Sequence, residues 1–266
     1  MKFCISTWNY LINDGAEADL FAAAEEIRQN GFGVELFLDW RADASIFHRD
    51  NWPIIKSRCS NPEGLSLHSG LVRFFTEEAI REEIELCRYL EAELLVLHPR
   101  SLGVEEGTLD LYPSARLGDT DLRRIIGIVE YAEERGVVLA LENGTREVLQ
   151  WVRNGVKQEL GLSSFGICID TGHANLHREQ DAAYLLRMIE EFGDELIQVH
   201  LSDNLGKSDE HNLPGKGNIE WPEVISSLKT MGFGGPFVLE LRPPDPPTSA
   251  KAAREFILEL YGIGKR

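Results

Sequence analysis

Short apolar runs recur along the chain, each ending in polar residues, glycine or proline. Between them lie longer stretches in which apolar residues return every three or four positions. The first pattern predicts buried strands and the second predicts helices with one apolar face. Strands are expected at residues 2–8, 33–38, 64–68, 93–98, 137–142, 165–170, 196–201 and 237–240. Helices are expected at 16–30, stopped by Gly31, over a weaker segment at 52–60, and from a Thr76 N-cap to residue 90. Others are expected at 119–135, closed by Gly136, at 181–192, at 221–231 with Pro222 in the first turn, and at 249–260. Residues 100–117 read as a long loop and 242–247 as a proline-rich turn.

Apolar strands alternating with helices imply a parallel sheet covered by helices, and eight strands are the number that closes a barrel. The expected architecture is therefore a single (β/α)8 TIM barrel spanning residues 1–266 as one domain. An open doubly wound sheet is the alternative. No G-x-G-x-x-G follows the first strand, so a nucleotide cofactor is not expected.

Composition narrows the function. The 266 residues are 43% apolar, enough for a large core, and no run approaches the roughly 18 apolar residues of a membrane span. A net charge of −17 argues against a broad nucleic-acid surface, where lysines and arginines must meet phosphates, and suits divalent cations. The opening MKFCISTWNY lacks a basic region followed by an apolar one, so no signal peptide is expected. Cys4, Cys59, Cys87 and Cys168 are scattered, and Cys4 and Cys168 sit inside strand patterns, as buried reduced thiols do. A cytoplasmic location is the expectation.

Chemistry collects at the strand ends. His68, His98, Glu142, Asp170, His200 and Glu240 end six successive strands, from the third to the eighth. In a barrel these ends converge on one mouth, so residues far apart in sequence become neighbours. Each alone has an ordinary reading as a hydrogen-bonded histidine or a solvated carboxylate. Together they point to a metal site, because several buried carboxylates are costly without a cation. Mixed imidazole and carboxylate donors suit Zn²⁺ or Mn²⁺, and Co²⁺ or Fe²⁺ are also compatible. After the seventh strand, a polar loop adds Asp209 and His211. A second metal there leans toward phosphoester chemistry; left free, the loop reads as a lid over a sugar.

Several segments together resemble the xylose isomerase-like TIM-barrel superfamily over nearly the whole chain. They are LHSG around His68, LHPR around His98, LENG around Glu142, DTGHA from Asp170, VHLSDN around His200, DEH from Asp209, PGKGNIEW from Pro214 and LELR around Glu240. That superfamily includes sugar phosphate isomerases and epimerases, among them the ketose 3-epimerases, and endonuclease IV. Resemblance to the epimerases implies that Glu142, Asp170, His200 and Glu240 hold one divalent ion and that His173 contacts substrate. Glu142 and Glu240 would be the catalytic acid and base, moving a proton through an enediolate. Resemblance to endonuclease IV implies instead that His68, His98, Glu142, Asp170, His173, His200, Asp209, His211 and Glu240 hold three zinc ions that cleave DNA at abasic sites. All nine residue types are present.

Two departures weigh against the nuclease: Ser-Gly-Leu-Val-Arg-Phe-Phe follows His68 where a His-Ala-Pro-Tyr type of segment is expected, and the chain is acidic. The leading expectation is a metal-dependent sugar or sugar phosphate isomerase or epimerase acting on a small sugar or polyol. A polyol dehydratase or lyase, and a sugar-binding barrel without turnover, stand behind it. The resemblance also implies a homo-oligomer. Trp8 is a candidate for stacking on a sugar, Lys216 and Arg242 for an anionic substrate group, and Glu35 for orienting a ligand. His48 and His177 read as surface residues.

Overall fold

A computed structural model describes residues 1–14, 18–39, 45–70, 76–102, 119–161 and 163–263, without the side chains of 13, 14 and 119–121. Its strands are β1 (Phe3–Ser6), β2 (Gly33–Phe37), β3 (Leu65–His68), β4 (Leu95–Leu97), β5 (Leu139–Glu142), β6 (Phe165–Asp170), β7 (Leu196–Leu201) and β8 (Phe237–Leu239). Each pairs in parallel with the next, and β8 pairs back onto β1, closing an eight-stranded barrel. The chain is a single TIM barrel, as the alternation of apolar runs requires.

The helices are α1 (Trp8–Asp14), α2 (Leu20–Gln29), α3 (Trp52–Cys59), α4 (Glu77–Leu90), α5 (Asp119–Glu133), α6 (Arg146–Glu159), α7 (Thr171–Asn175), α8 (Tyr184–Phe192), α9 (Trp221–Thr230) and α10 (Pro246–Tyr261). Thr76 caps α4 as expected, its hydroxyl accepting from the Ala79 amide at 3.1 Å. Three features correct the sequence reading. Trp8 opens a helix and does not end a strand, because β1 stops at Ser6. The proline-rich turn extends only to Asp245, whose carboxylate caps α10, so that Pro246 and Pro247 form the helix's first turn, where no backbone N–H is needed. Finally, α6 and the short α7 lie where no helix was read.

Two apolar layers share each strand. Side chains on one face, such as Leu95, Leu97, Leu139, Leu141, Ile167 and Ile169, pack outward against the helices in the main core. Those on the other face fill the barrel, where Leu94, Val96, Ala140 and Cys168 form a separate buried cluster. All four cysteines are buried free thiols. The interior is not apolar throughout: Glu35, Ser66 and Gln198 also lie on the inner face, one layer below His68 and His200. Among the described residues, no helix is long and apolar enough to cross a membrane. Residues 71–75, within the segment that departs from the nuclease pattern, and most of the loop after His98 lie outside the described residues.

Candidate active site

All six strand-end residues meet at the C-terminal mouth of the barrel. His68 is the hub: its Nε2 lies 3.0 Å from His98 Nε2 and 3.2 Å from Glu142 Oε2, while its Nδ1 lies 3.2 Å from Glu240 Oε1. His200 Nδ1 lies 3.6 Å from both Glu142 Oε2 and Glu240 Oε1. Strand β6 brings in Asp170, which splits its carboxylate. One oxygen caps α7 by accepting from the His173 amide at 2.7 Å, and Oδ2 is left without a hydrogen bond. Asn143 fixes that turn by accepting from the Asp170 amide and donating to the Asp170 carbonyl. The capping turn then puts His173 over Glu142, Nδ1 to Oε1 at 3.0 Å.

The loop after β7 supplies the remaining donors. Asp209 Oδ2 lies 2.8 Å from His211 Nε2 and 3.4 Å from His173 Nε2. His211 holds a left-handed backbone, φ 49°, a strained state for histidine that persists where surrounding structure enforces it. The enforcement is visible: its carbonyl accepts from Arg242 N, and its Nδ1 bonds the Glu240 carbonyl at 3.0 Å.

This loop is no free lid. Buried Asp203 accepts from the amides of Asn204, Gly215 and Ile219 and from the Trp221 indole. Asn175 ties Asn204 to Asn218, and Arg178 bonds the Asn218 carbonyl and Glu220.

The nine predicted ligand residues thus share one mouth. Ligand atoms lie within 4.8 Å of one another in each of four groups, the first, second and fourth of which share members: Glu142, Asp170 and His200; His68, His98 and Glu142; His173, Asp209 and His211; and Glu35, His68, His200 and Glu240. Both Glu142 oxygens, Asp170 Oδ2, His200 Nδ1, His173 Nδ1 and Asp209 Oδ1 are buried yet make no hydrogen bond. Buried donors and acceptors are almost always satisfied, so this many open ligand atoms aimed at one space fit a divalent cation.

The electrostatics agree. Burial opposes ionisation of Glu142, but His98, His200, His173 and His68 outweigh it and hold its carboxyl well below the usual range. Burial likewise opposes protonation of His68, and Glu142, Glu240 and Glu35 outweigh it and raise its pKa. Burial, with His68 and His173 adding to it and Glu142 and Glu240 opposing, pushes His98 down to about 4. Asp170 is raised by burial, with His173 pulling it down and Glu142 pushing it further up. The buried carboxylate of Glu142 is thus compensated by the imidazoles around it, a role that a cation would share when bound.

The peripheral candidates divide. The Trp8 ring sits 4.3 Å from the His211 ring, on the wall of the mouth, with the Arg242 guanidinium 5.9 Å from the indole centroid. Lys216 is exposed and, among the described residues, makes no side-chain hydrogen bond or ion pair, so the structure does not join it to the cluster. His48 is exposed as expected, whereas His177 is half-buried and stacked on Tyr184 at 4.1 Å, which corrects its reading as a surface residue.

Gln198 was missed. It donates to Glu35 Oε2 at 2.6 Å, directly below His200. Its signal was a polar residue two positions before a strand-end histidine, hence on the same inward stripe.

These features place the chain by class: it belongs to the xylose isomerase-like TIM barrel family, whose model matches residues 64–260. It is 34% identical over 174 residues to the uncharacterised protein MJ1311 of Methanocaldococcus jannaschii, covering 64% of this chain and 57% of that protein. It is 29% identical over 129 residues to a D-psicose 3-epimerase of Enterocloster bolteae, covering 45% of this chain and 38% of that protein. The chain therefore spans little more than half the length of the first of these relatives and less of the second. Its fold superposes on the crystal structure of a D-tagatose 3-epimerase-like protein with TM-score 0.71, at 23% identity over 99% of this chain and 98% of that one.

Proposed function

We propose that this protein is a metal-dependent sugar or sugar phosphate isomerase or epimerase. The observation that carries the reading is the pair Glu142 and Glu240. They are 0% and 5% exposed, on β5 and just beyond β8, and the same two imidazoles, His68 and His200, lie between them. Likeness to a D-psicose 3-epimerase and to a D-tagatose 3-epimerase-like protein supports it.

Glu142, Asp170, His200 and Glu240 are the residues that would hold the divalent ion, Mn²⁺ or Zn²⁺ by donor type. Such an ion, when bound, polarises a carbonyl and its neighbouring hydroxyl and so acidifies the C–H between them. One glutamate removes that proton and the other returns it from the opposite face, which inverts the carbon; return at the neighbouring carbon isomerises the sugar instead. His173, 3.0 Å from Glu142, is placed to hydrogen-bond a substrate hydroxyl beside the base. Trp8 offers an aromatic face for the sugar's apolar side and Arg242 a charge for an anionic group; Lys216, far less well tied, is the weaker candidate.

The test is turnover of a ketose and polyol panel in D₂O. Deuterium at a carbon next to the carbonyl supports the proposal. Conversion without exchange, or no conversion of any member, speaks against it.

A second reading rests on the donors that an acid–base pair leaves over. His98, Asp209 and His211 belong to two further ligand groups, and His211 is strained into place with Nε2 facing Asp209. Three cations in these groups would suit phosphoester hydrolysis of the endonuclease IV type. Cleavage of an abasic-site oligonucleotide, with no sugar turned over, would establish that reading.

A further inference from the structure

His200 has two ring nitrogens and is fully buried, so what surrounds the ring decides which nitrogen is free. Nδ1 faces Glu142 and Glu240 and makes no hydrogen bond, whereas Nε2 lies 3.3 Å from Glu35 Oε2. Glu35 reaches this point from β2, on the far side of the barrel from β7 in sequence, and is itself 0% exposed. We propose that Glu35 is a positioning residue for the metal centre: its carboxylate accepts the His200 Nε2–H and so presents the Nδ1 lone pair to the ion. The inference rests on the metal-dependent reading above.

The chemistry favours that direction. A neutral imidazole carries one proton, and the nitrogen without it is the ligand. With the proton on Nδ1, the Nε2 lone pair would face a buried carboxylate oxygen, and two acceptors in a dry interior repel. With the proton on Nε2, a charge-assisted hydrogen bond forms and Nδ1 is open. Glu35 is braced for the task, since Oε2 also accepts from Gln198 Nε2 at 2.6 Å and from Ser66 Oγ at 3.2 Å. One feature pulls the other way: Gln198 Nε2 lies 2.9 Å from His200 Nε2 and could donate a second hydrogen there. A neutral amide is the weaker partner, and the full carboxylate charge prevails.

Glu35 is also a member of a four-residue ligand group with His68, His200 and Glu240, which raises the alternative that it binds an ion itself. Gln198 argues against this at Oε2, the oxygen that faces His200, while Oε1 makes no hydrogen bond and lies 3.5 Å from His68 Nδ1. Turning its amide over would set two acceptor oxygens against each other, so its N–H points at Glu35 Oε2, and a donor hydrogen occupies the space beside that oxygen. The arrangement is the ligand histidine with a carboxylate on its other nitrogen, which fixes both tautomer and ring orientation.

The experiment compares the wild-type chain with Glu35→Gln and Ser66→Ala, using Zn²⁺ alone as probe. Zinc affinity is read by competition with a chromophoric chelator, and the His200 tautomer by long-range ¹H–¹⁵N NMR of histidine-labelled protein. Glu35→Gln is expected to weaken zinc binding by about 10- to 100-fold and to alter the His200 nitrogen shifts, with far-UV circular dichroism unchanged. Ser66→Ala, which removes a brace from the same oxygen without touching His200, is expected to change affinity little. Equal losses in both variants would make Glu35 a packing residue and overturn the inference. So would unchanged affinity and tautomer in Glu35→Gln while the wild type binds zinc. If the wild type binds no zinc, the metal reading falls first and this inference with it. Should Glu35→Gln fail to fold, Glu35→Asp, which keeps the charge but withdraws it from His200, is held to the same criteria.

Discussion

Replacing Asp203 by alanine removes the acceptor around which the loop after β7 is folded. The carboxylate is fully buried and takes four hydrogen bonds: from Asn204 N at 2.9 Å, Gly215 N at 2.9 Å, Ile219 N at 3.3 Å and Trp221 Nε1 at 2.8 Å. Each donor left buried and unpaired costs about 1–3 kcal/mol. The sum is an upper bound, since water can enter the space and the loop can relax, and a loss of about 3–5 kcal/mol is expected. For a chain of this size that lowers Tm by roughly 10 °C. Asp203→Asn should fall between, because its oxygen can replace one carboxylate oxygen while its amide meets the donors of the other. Urea and thermal denaturation followed by circular dichroism measure both variants. Because Asp209 and His211 ride on the same loop, Asp203→Ala should also weaken binding of any ion held by His173, Asp209 and His211. A Tm within about 2 °C of wild type would refute the view that Asp203 organises the loop.

Other outcomes follow from the same geometry. Glu142→Ala and Asp170→Ala should each lose bound divalent metal by elemental analysis, and unchanged metal content in both would remove the proposed ligand set. Burial pushes the Glu83 carboxyl up to about 7, against a hydrogen bond from Ser69. The folded protein then keeps a proton that the unfolded chain releases, so this group's contribution to stability falls as pH rises from about 4.5 to 7 and is flat above. Glu83→Gln should accordingly gain on the order of 2 kcal/mol over wild type at pH 8 relative to pH 5, measured by urea denaturation; the same difference at both pH values would contradict it.

The barrel and the ring of strand-end His, Asp and Glu side chains were legible because both depend on short-range pattern. An apolar run bounded by polar residues, glycine or proline marks a strand whatever the rest of the chain does; eight such runs leave few closures open, and six of them end in His, Asp or Glu. What was not legible depends on packing between distant elements. Helix α6 contains Gly155, which reads as a break, yet a Cβ there would lie 2.4 Å from a Leu122 methyl carbon, so the glycine is what lets α6 approach α5. Helix α1 follows β1 with only Thr7 between, and its apolar residues look like a longer strand. The polar layer of Glu35, Ser66 and Gln198 comes from three strands, and a sequence offers only one of its members at a time. The anchoring of the loop from Asp203 to Trp221 is likewise a matter of contacts, and its polar composition alone reads equally well as a lid.

The most direct test of the account is anomalous scattering from crystals grown with Zn²⁺ or Mn²⁺, recorded on both sides of the metal's absorption edge. The account predicts a strong peak held by Glu142, Asp170, His200 and Glu240, with His200 coordinating through Nδ1. Additional peaks at the groups of His98 and of His211 would move the chemistry toward phosphoester hydrolysis. A mouth without any anomalous peak at Glu142, Asp170, His200 and Glu240 would contradict the account.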